Sequence, residues 1–198
     1  MSVCLLVIDD GREDYLERCL ESAAHNLPPM DACVMVSDPD HELGFAGAVQ
    51  AGWEGVLETG CEWVFHLESD FVFTCPVDLP KMQAVVEQFP EIAQVALRRQ
   101  AWNEAEKAAG GIVALDPRSF RTATCSTGYF TEHRKFFTTN PSLYRASLCE
   151  RGWPQVPRSE GILTHELLSE GRSFAFIGPA PEPPRCWHIG ETRTGTGY

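Results

Sequence analysis

The sequence predicts an α/β fold with a mixed, mainly parallel sheet that is flanked by helices. Three observations support this prediction: apolar runs of strand length, amphipathic helical segments between them, and acidic residues directly after the strands. Continuous apolar runs are typical of strands that are buried on both faces. Strands that alternate with helices at short spacing imply right-handed crossovers and parallel pairing.

The first half of the chain repeats a strand–helix unit. The run Val3–Ile8 predicts a central strand, which Asp9-Asp10-Gly11 ends, and apolar residues then recur at helical spacing from Tyr15 to Ala24. The remaining predicted elements here are a strand at Ala32–Ser37, a helix at Gly44–Leu57, a strand at Trp63–Leu67, a helix at Leu79–Phe89 and a strand at Ile92–Leu97. The order predicts a parallel sheet with its loops along one edge.

The pattern is weaker in the second half. Residues 101–128 are rich in loop-forming residues, and the next predicted strand is Phe136–Thr139. Asn140-Pro141-Ser142 is typical of a helix start because proline is favoured in the first turn, so Leu143–Cys149 is predicted to be helical. The later predicted elements are a helix at Ile162–Leu168, strands at Ser173–Ile177 and Cys186–Ile189, and a mobile tail over residues 190–198.

Composition and charge indicate which partners and which cellular location to expect. The 198 residues carry a formal net charge of −12, so a phosphate backbone would be repelled and nucleic acid is not an expected partner. No segment resembles a signal peptide or reaches the roughly 20 apolar residues of a membrane span. We therefore expect a soluble, cytoplasmic protein. The 8 cysteines are scattered without a CxxC pair, which predicts free thiols.

Acidic residues follow each of the first three predicted strands: Asp9 and Asp10, then Asp38, then Glu68 and Asp70. In an open α/β sheet, ligands bind at the carboxyl ends of the strands. Residues i and i+2 of an extended segment point to the same side, so Glu68 and Asp70 could face one divalent cation with bound phosphates. The alternative is a pair of solvated acids at the end of a strand.

Four segments together resemble glycosyltransferases of the GT-A fold, in particular family 2. They are Asp14–Ser22, the helix opening His41–Ala48 followed by Gly52, Leu67-Glu68-Ser69-Asp70, and Ser159-Glu160 before Leu167–Gly171. The resemblance covers about residues 3–72 and 136–189. The chain departs from the family pattern at Glu68 (usually Asp), Gln50 (commonly Arg) and Ser159 (usually the first Asp of a pair).

The resemblance implies roles on the side of a nucleotide-sugar donor. Asp70 would bind a metal, Mn²⁺ or Mg²⁺, and His188 would complete its coordination, although a histidine packed beside Trp187 is the alternative. The other implied donor-binding residues are Asp9, Asp10, Arg12, Asp38 and Glu68, with Arg193 in a tail that could close over the diphosphate. Asp10 could instead cap a helix.

On the acceptor side the resemblance implies a catalytic Glu160, which would remove the proton of the attacking hydroxyl. The alternative is that Glu160 only places a negative charge at the N-terminus of a helix, where the helix dipole favours it. Further candidates for the acceptor side are Asn140, Tyr144 and Arg145, and the rings that could stack on a sugar are those of Trp102, Trp153 and Tyr129.

The resemblance implies a single GT-A domain over residues 1–198, with a nucleotide-sugar half at about 1–100 and an acceptor half at about 101–198. The implied activity is metal-dependent, inverting transfer from a nucleotide-sugar, a UDP-sugar by preference, to a hydroxyl of a glycan, a protein or a small molecule. Two alternatives stay open. One is a sugar-phosphate nucleotidyltransferase, and the other is a non-catalytic carbohydrate- or metal-binding module on the same fold.

Overall fold

The computed structural model describes residues 2–180 and 182–192. Its centre is an eight-stranded mixed sheet in the order β2-β1-β3-β8-β5-β9-β7-β6, and β4 and β10 form a separate two-stranded ladder. Strands β2, β1, β3, β5 and β9 run in the same direction, and β8 lies antiparallel between β3 and β5. Helices pack on both faces, so the predicted α/β class with a mainly parallel sheet is confirmed.

The strands are β1 (Val3–Asp9), β2 (Ala32–Ser37), β3 (Trp63–Glu68), β4 (Phe71–Phe73), β5 (Ile92–Ala96), β6 (Phe120–Cys125), β7 (Gly128–His133), β8 (Ser142–Arg145), β9 (Ser173–Ile177) and β10 (Cys186–His188). The α-helices are α1 (Glu13–Asn26), α2 (Gly44–Thr59), α3 (Leu79–Gln88), α4 (Glu104–Ala109), α5 (Ile112–Leu115) and α6 (Ser159–Ser169). Short 3₁₀ segments occupy Pro117–Ser119, Ala146–Arg151 and Ile189–Thr192.

Side chains that alternate along the strands contribute to separate apolar cores on the two faces of the sheet. Trp63, Phe65 and Leu67 of β3 pack with Cys19 of α1 and Met82 of α3 on one face. Val64 of the same strand packs on the other face with residues of α2 and α6, among them Trp53, Leu163 and Leu167. Because successive strand residues point to opposite faces, one apolar run supplies both cores.

Small residues let α2 approach the sheet closely. A Cβ atom at Gly52 would lie 2.7 Å from Leu6 Cδ1, and one at Gly55 would lie 2.9 Å from Val34 Cγ1. The glycines therefore fix the distance between α2 and the strands β1 and β2, and the carboxyl end of β1 leads into the cleft described below.

The second half contains the errors of the sequence prediction. Phe136–Thr139 is a loop instead of a strand, and Ser142–Arg145 is strand β8 instead of the start of a helix. Leu143 and Tyr144 are fully buried between β3 and β5, so burial in the sheet overrides the local preference for a helix after Pro141. The β6–β7 hairpin lies in part of a stretch that was predicted to be mostly loop.

Across the described ranges 2–180 and 182–192, no helix has both the length and the apolar character needed to cross a membrane.

Candidate active site

A cleft of about 640 Å³ lies along the edge of the sheet where the parallel strands end. The carboxyl ends of β1, β3 and β5 supply Asp10, Glu68–Asp70 and Arg98–Arg99 to its walls. Because β8 runs the opposite way, the loop before it, residues 135–140, reaches the same edge. The cleft is therefore at the position where open α/β sheets bind ligands.

Glu68, Asp70 and His188 form a group that could hold a metal ion. One ligand atom of each lies within 4.8 Å of the others. His188 Nε2 lies 2.9 Å from Asp70 Oδ2, and both side chains are at most 10 % exposed. Two ligands at right angles around a cation, each about 2.1 Å from it, are about 3 Å apart, so this spacing suits a pair of adjacent ligands.

The antiparallel ladder of β4 and β10 brings His188 to Asp70. His188 pairs with Phe71 in the ladder register, and Ile189 N donates a hydrogen bond of 2.7 Å to Asp70 O. On its other side, β10 contacts the segment after β5, because Cys186 N donates to Arg98 O over 3.3 Å and the preceding Arg185 N donates to the same oxygen over 2.7 Å. The histidine is thus held between two chain segments that are remote in sequence.

Trp102 covers one side of the His188 ring. The two rings are 4.5 Å apart between centroids and meet edge to face, and Phe71 meets the imidazole at 4.7 Å. Glu106 fixes the tryptophan because its carboxylate accepts a hydrogen bond from Trp102 N at 2.8 Å and pairs with Arg99 at 2.9 Å. Burial alone would raise the pKa of Glu106, but these hydrogen bonds hold the pKa below its usual value.

The backbone at Gly190 packs closely against two of the proposed metal ligands. A Cβ atom there would lie 2.5 Å from Asp70 Oδ2 and 3.2 Å from His188 Cε1. The chain therefore approaches the carboxylate more closely than any other residue type would allow. Two oxygen donors and one imidazole nitrogen suit a divalent ion such as Mn²⁺ or Mg²⁺, so the residues present fit the predicted metal.

Glu160, in the first turn of α6, lines the same cleft. Its Oε1 accepts two hydrogen bonds from Thr139, one from the backbone N at 2.9 Å and one from Oγ1 at 3.0 Å. Burial raises the pKa of Glu160, and the Thr139 hydrogen bonds oppose that shift only in part. A half-buried carboxylate with a raised pKa is more basic than an ordinary glutamate, as the role of a general base requires.

In the part of the chain that the structure describes, the arginine and lysine side chains that line the cleft are those of Arg98, Arg99 and Lys135. The Arg98 guanidinium donates to the carbonyl oxygens of Pro179, Ala180 and Glu182, so its donors hold the loop after β9. Lys135 forms an exposed ion pair of 2.9 Å with Asp116. Since an exposed pair contributes little energy, Lys135 can exchange its partner for a ligand at low cost.

The remaining predicted donor residues are placed differently. Asp10 lines the cleft and pairs with Arg12 at 3.3 Å. Asp9 accepts a hydrogen bond from Ser37 Oγ at 2.7 Å, and Asp38 accepts the backbone N–H of Gly44 at 2.9 Å at the start of α2. Among the described residues, the cleft walls do not include Asp9, Arg12 or Asp38. Donor binding by these three stays a prediction.

Residues 193–198 of the predicted tail, which include Arg193, lie outside the described residues, whereas residues 190–192 belong to the 3₁₀ segment Ile189–Thr192. Of the acceptor-side candidates, Asn140 and Trp102 line the cleft. Tyr144 does not, because it is fully buried in the core, and Trp153 is 3 % exposed. Arg145 stacks on Trp63, with its guanidinium carbon 4.3 Å from the ring centroid, and Tyr129 lies on β7.

Three residues that organise the cleft were missed from the sequence: Gln94, Gln100 and Thr139. Gln94 carried a usable signal, since it is a polar residue inside the otherwise apolar strand Ile92–Ala96. Buried polar side chains must find partners, so such a residue marks a specific hydrogen bond. Gln100 and Thr139 carried no comparable signal, because they lie in loops, where polar residues are common.

Comparison with known proteins shows a shared fold without detectable sequence relatives. No protein-family model and no curated protein matches this chain. Among solved structures, A197 from STIV matches with a TM-score of 0.55 and 11 % identity over 90 % of this chain and 82 % of that one. GalNAc-T7, solved with UDP, GalNAc and Mn²⁺, matches with a TM-score of 0.62 and 11 % identity over 95 % of this chain.

This chain spans 44 % of the GalNAc-T7 chain that it matches. CMP:2-keto-3-deoxy-manno-octonic acid synthetase, solved with CTP, matches with a TM-score of 0.48 and 10 % identity over 89 % of each chain. At these identities the first two matches establish the fold alone. They agree with the predicted GT-A, Rossmann-like class of sheet and helices.

Proposed function

We propose that this protein is a metal-dependent glycosyltransferase that moves a sugar from a nucleotide-sugar to an acceptor hydroxyl, with inversion. The observation that carries the proposal is a single cleft lined by both Glu160 and the group Glu68, Asp70 and His188. Fold similarity to a protein solved with UDP, GalNAc and Mn²⁺ supports a UDP-sugar as the donor.

Asp70 and His188 would hold the ion, Mn²⁺ or Mg²⁺, with Glu68 as a further ligand or as a contact to the sugar or ribose. When bound, the ion would neutralise negative charge on the diphosphate and so stabilise the leaving nucleotide. Asp10 lies on the wall of the same cleft, where it can accept hydrogen bonds from donor hydroxyls. Asp9, Arg12, Asp38 and Arg193 complete the proposed donor set.

Glu160 is the proposed general base. Thr139 occupies its Oε1, whereas Oε2 makes no hydrogen bond to any residue in the described ranges. Glu160 Oε2 would accept the proton of the acceptor hydroxyl while the oxygen attacks the anomeric carbon and the bond to the nucleotide breaks. Trp102 and Asn140 would contact the sugar rings that flank this position.

The first test is a thermal-shift screen of the wild-type protein. UDP together with Mn²⁺ is expected to raise Tm, because the proposed site binds a nucleoside diphosphate through its metal ion. A rise with nucleoside triphosphates alone would favour the nucleotidyltransferase. A rise with free sugars alone would favour a binding module, and either result would refute the proposed reaction.

Variants then separate the two halves of the cleft. Asp70→Asn is expected to weaken Mn²⁺-dependent UDP binding by more than the roughly 10- to 100-fold that loss of an outer-shell partner costs. Glu160→Gln is expected to retain that binding and to lower turnover by about 10²- to 10⁴-fold. Asp14→Asn and Glu58→Gln, which change exposed residues on α1 and α2, are the controls with equal charge change. Near-normal turnover in Glu160→Gln would eliminate it as the base.

A further inference from the structure

Two glutamine side chains make the same pair of backbone hydrogen bonds on opposite halves of the cleft. Gln100 Nε2 donates to His188 O at 3.0 Å, and His188 N donates to Gln100 Oε1 at 2.9 Å. Gln94 Nε2 donates to Thr138 O at 2.6 Å, and Thr138 N donates to Gln94 Oε1 at 3.0 Å. We name this arrangement a paired amide contact. It satisfies the N–H and the C=O of one residue, as a neighbouring strand would.

Both glutamines are buried, with 1 % exposure at Gln94 and 9 % at Gln100. A buried carboxamide gains little over its hydration in the unfolded chain, and it costs about 1–3 kcal/mol if a hydrogen bond is lost. An apolar residue of similar size would fill either position without that risk. The amides are therefore best explained by the backbone positions that they hold.

Gln100 contacts the last residue of a short strand. Strand β10 has 3 residues and pairs with β4, itself only 3 residues long. His188 is the last residue of this short ladder, where strands fray most readily, and Ile189 N attaches the chain to Asp70 O on the β4 side. The contact from Gln100 fixes the backbone on both sides of the His188 side chain, and hence fixes its distance from Asp70.

Gln94 acts on a segment that has no strand partner of its own. Residues 136–139 are irregular, yet Thr138 is 8 % exposed and Thr139 is 4 % exposed. Buried backbone groups must be paired, and Gln94 pairs both groups of Thr138. The next residue, Thr139, donates both of the hydrogen bonds to Glu160 Oε1. Gln94 thus sets the position from which Glu160 is held.

We propose that Gln100 and Gln94 are positioning residues, Gln100 for the metal-binding half of the cleft and Gln94 for the base. The proposal rests on the proposed function for the roles of His188 and Glu160. It adds that the two halves are held independently, each by its own paired amide contact.

The test exchanges each glutamine for methionine, which has a similar length and cannot make the contact. Three quantities are measured in the wild type, Gln100→Met and Gln94→Met: Mn²⁺ affinity by electron paramagnetic resonance titration, the pKa of Glu160 from its ¹³C carboxyl shift, and Tm. Gln100→Met is expected to weaken Mn²⁺ binding by about 10- to 100-fold and to leave the Glu160 pKa unchanged.

Gln94→Met is expected to show the opposite pattern. The Glu160 pKa should rise above its wild-type value, because Thr139 hydrogen bonds favour the carboxylate, and Mn²⁺ affinity should be unchanged. Each variant is therefore the matched control for the other. Both leave in place the other charged and titratable groups that line the cleft among the described residues, which are Asp10, Glu68, Asp70, Arg98, Arg99, Lys135, His165 and His188.

The proposal would be overturned if Mn²⁺ affinity and the Glu160 pKa changed equally in both variants, in proportion to the loss in Tm. The glutamines would then only stabilise the fold. Unchanged values would overturn the proposal as well. If Gln100→Met does not fold, Gln100→Glu keeps the acceptor for His188 N and should bind Mn²⁺ with intermediate affinity; wild-type affinity there would also refute the proposal. Wild-type protein that binds no Mn²⁺ refutes the proposed function, whereas wild-type binding that Gln100→Met preserves refutes only the positioning role.

Discussion

Replacing Gly190 by alanine tests the metal-binding half of the cleft with a single methyl group. The added Cβ would lie 2.5 Å from Asp70 Oδ2, whereas ordinary van der Waals contacts begin at 3.4 Å. The carboxylate must therefore move by about 0.9 Å or rotate away, and ligand distances in metal sites tolerate only about ±0.2 Å. We expect Gly190→Ala to lose most of its Mn²⁺ affinity while both ligands are still present.

The same overlap has a cost in stability. Overpacking of a buried site typically costs about 1–3 kcal/mol. For a chain of this size, each kcal/mol corresponds to about 2–4 °C, so Tm should fall by about 2–12 °C. The fall is expected with and without added metal, because the clash is with the carboxylate and not with the ion.

Gly161→Ala is the matched control, since Gly161 also lines the cleft and a Cβ there would meet nothing within 4 Å. It should keep wild-type Mn²⁺ affinity and gain up to about 1 kcal/mol, because alanine favours the helix. Isothermal titration with Mn²⁺ and thermal unfolding measure both quantities. Wild-type Mn²⁺ affinity in Gly190→Ala would refute the assignment of Asp70 Oδ2 as a ligand.

Two further predictions concern buried groups away from the metal ligands. Tyr144→Phe removes a hydroxyl that lies 3.0 Å from both Trp53 Nε1 and His66 Nδ1, and urea unfolding should show a loss of about 2–4 kcal/mol because two buried nitrogens lose their partner; a loss below about 1 kcal/mol would contradict this role. Burial lowers the pKa of His133 to about 3. The unfolded chain therefore binds a proton below about pH 6.5 that the folded chain does not, and the stability that rests on a neutral His133 is lost as pH falls from there toward 3. His133→Phe should reduce that loss between pH 7 and pH 4, and an unchanged slope of unfolding free energy against pH would refute the assignment.

The first half of the fold could be predicted because its local signals agree with its tertiary structure. Strand β3 is apolar except for His66 and the terminal Glu68, and residues 63–67 are buried; helix α2 has a clear apolar side at Val49, Trp53 and Val56. Strand β8 could not be predicted in this way. Its four residues carry no period, and Pro141 gives a helix signal, so only the gap between β3 and β5 determines its conformation.

The same distinction between local and tertiary signals applies to the candidate site. Glu68 and Asp70 were accessible from sequence because strand ends of a parallel sheet share one edge. Their meeting with His188, and the presence of Glu160 on the same cleft, were implied only by resemblance to a family. The amide contacts of Gln94 and Gln100 join residues 44 and 88 positions apart, and no local pattern reports pairings of that kind.

The β4–β10 ladder has a consequence for the chain as a whole. Because Asp70 and His188 are far apart in the sequence, an ion held between them acts as a crosslink that only the native chain can form. At a free-ion concentration 100 times Kd, binding of the ion would increase the free energy of unfolding by about 2.7 kcal/mol. Divalent ions and chelators should consequently alter the protein's resistance to heat and proteolysis, most strongly near residues 186–192, whether or not any substrate is present.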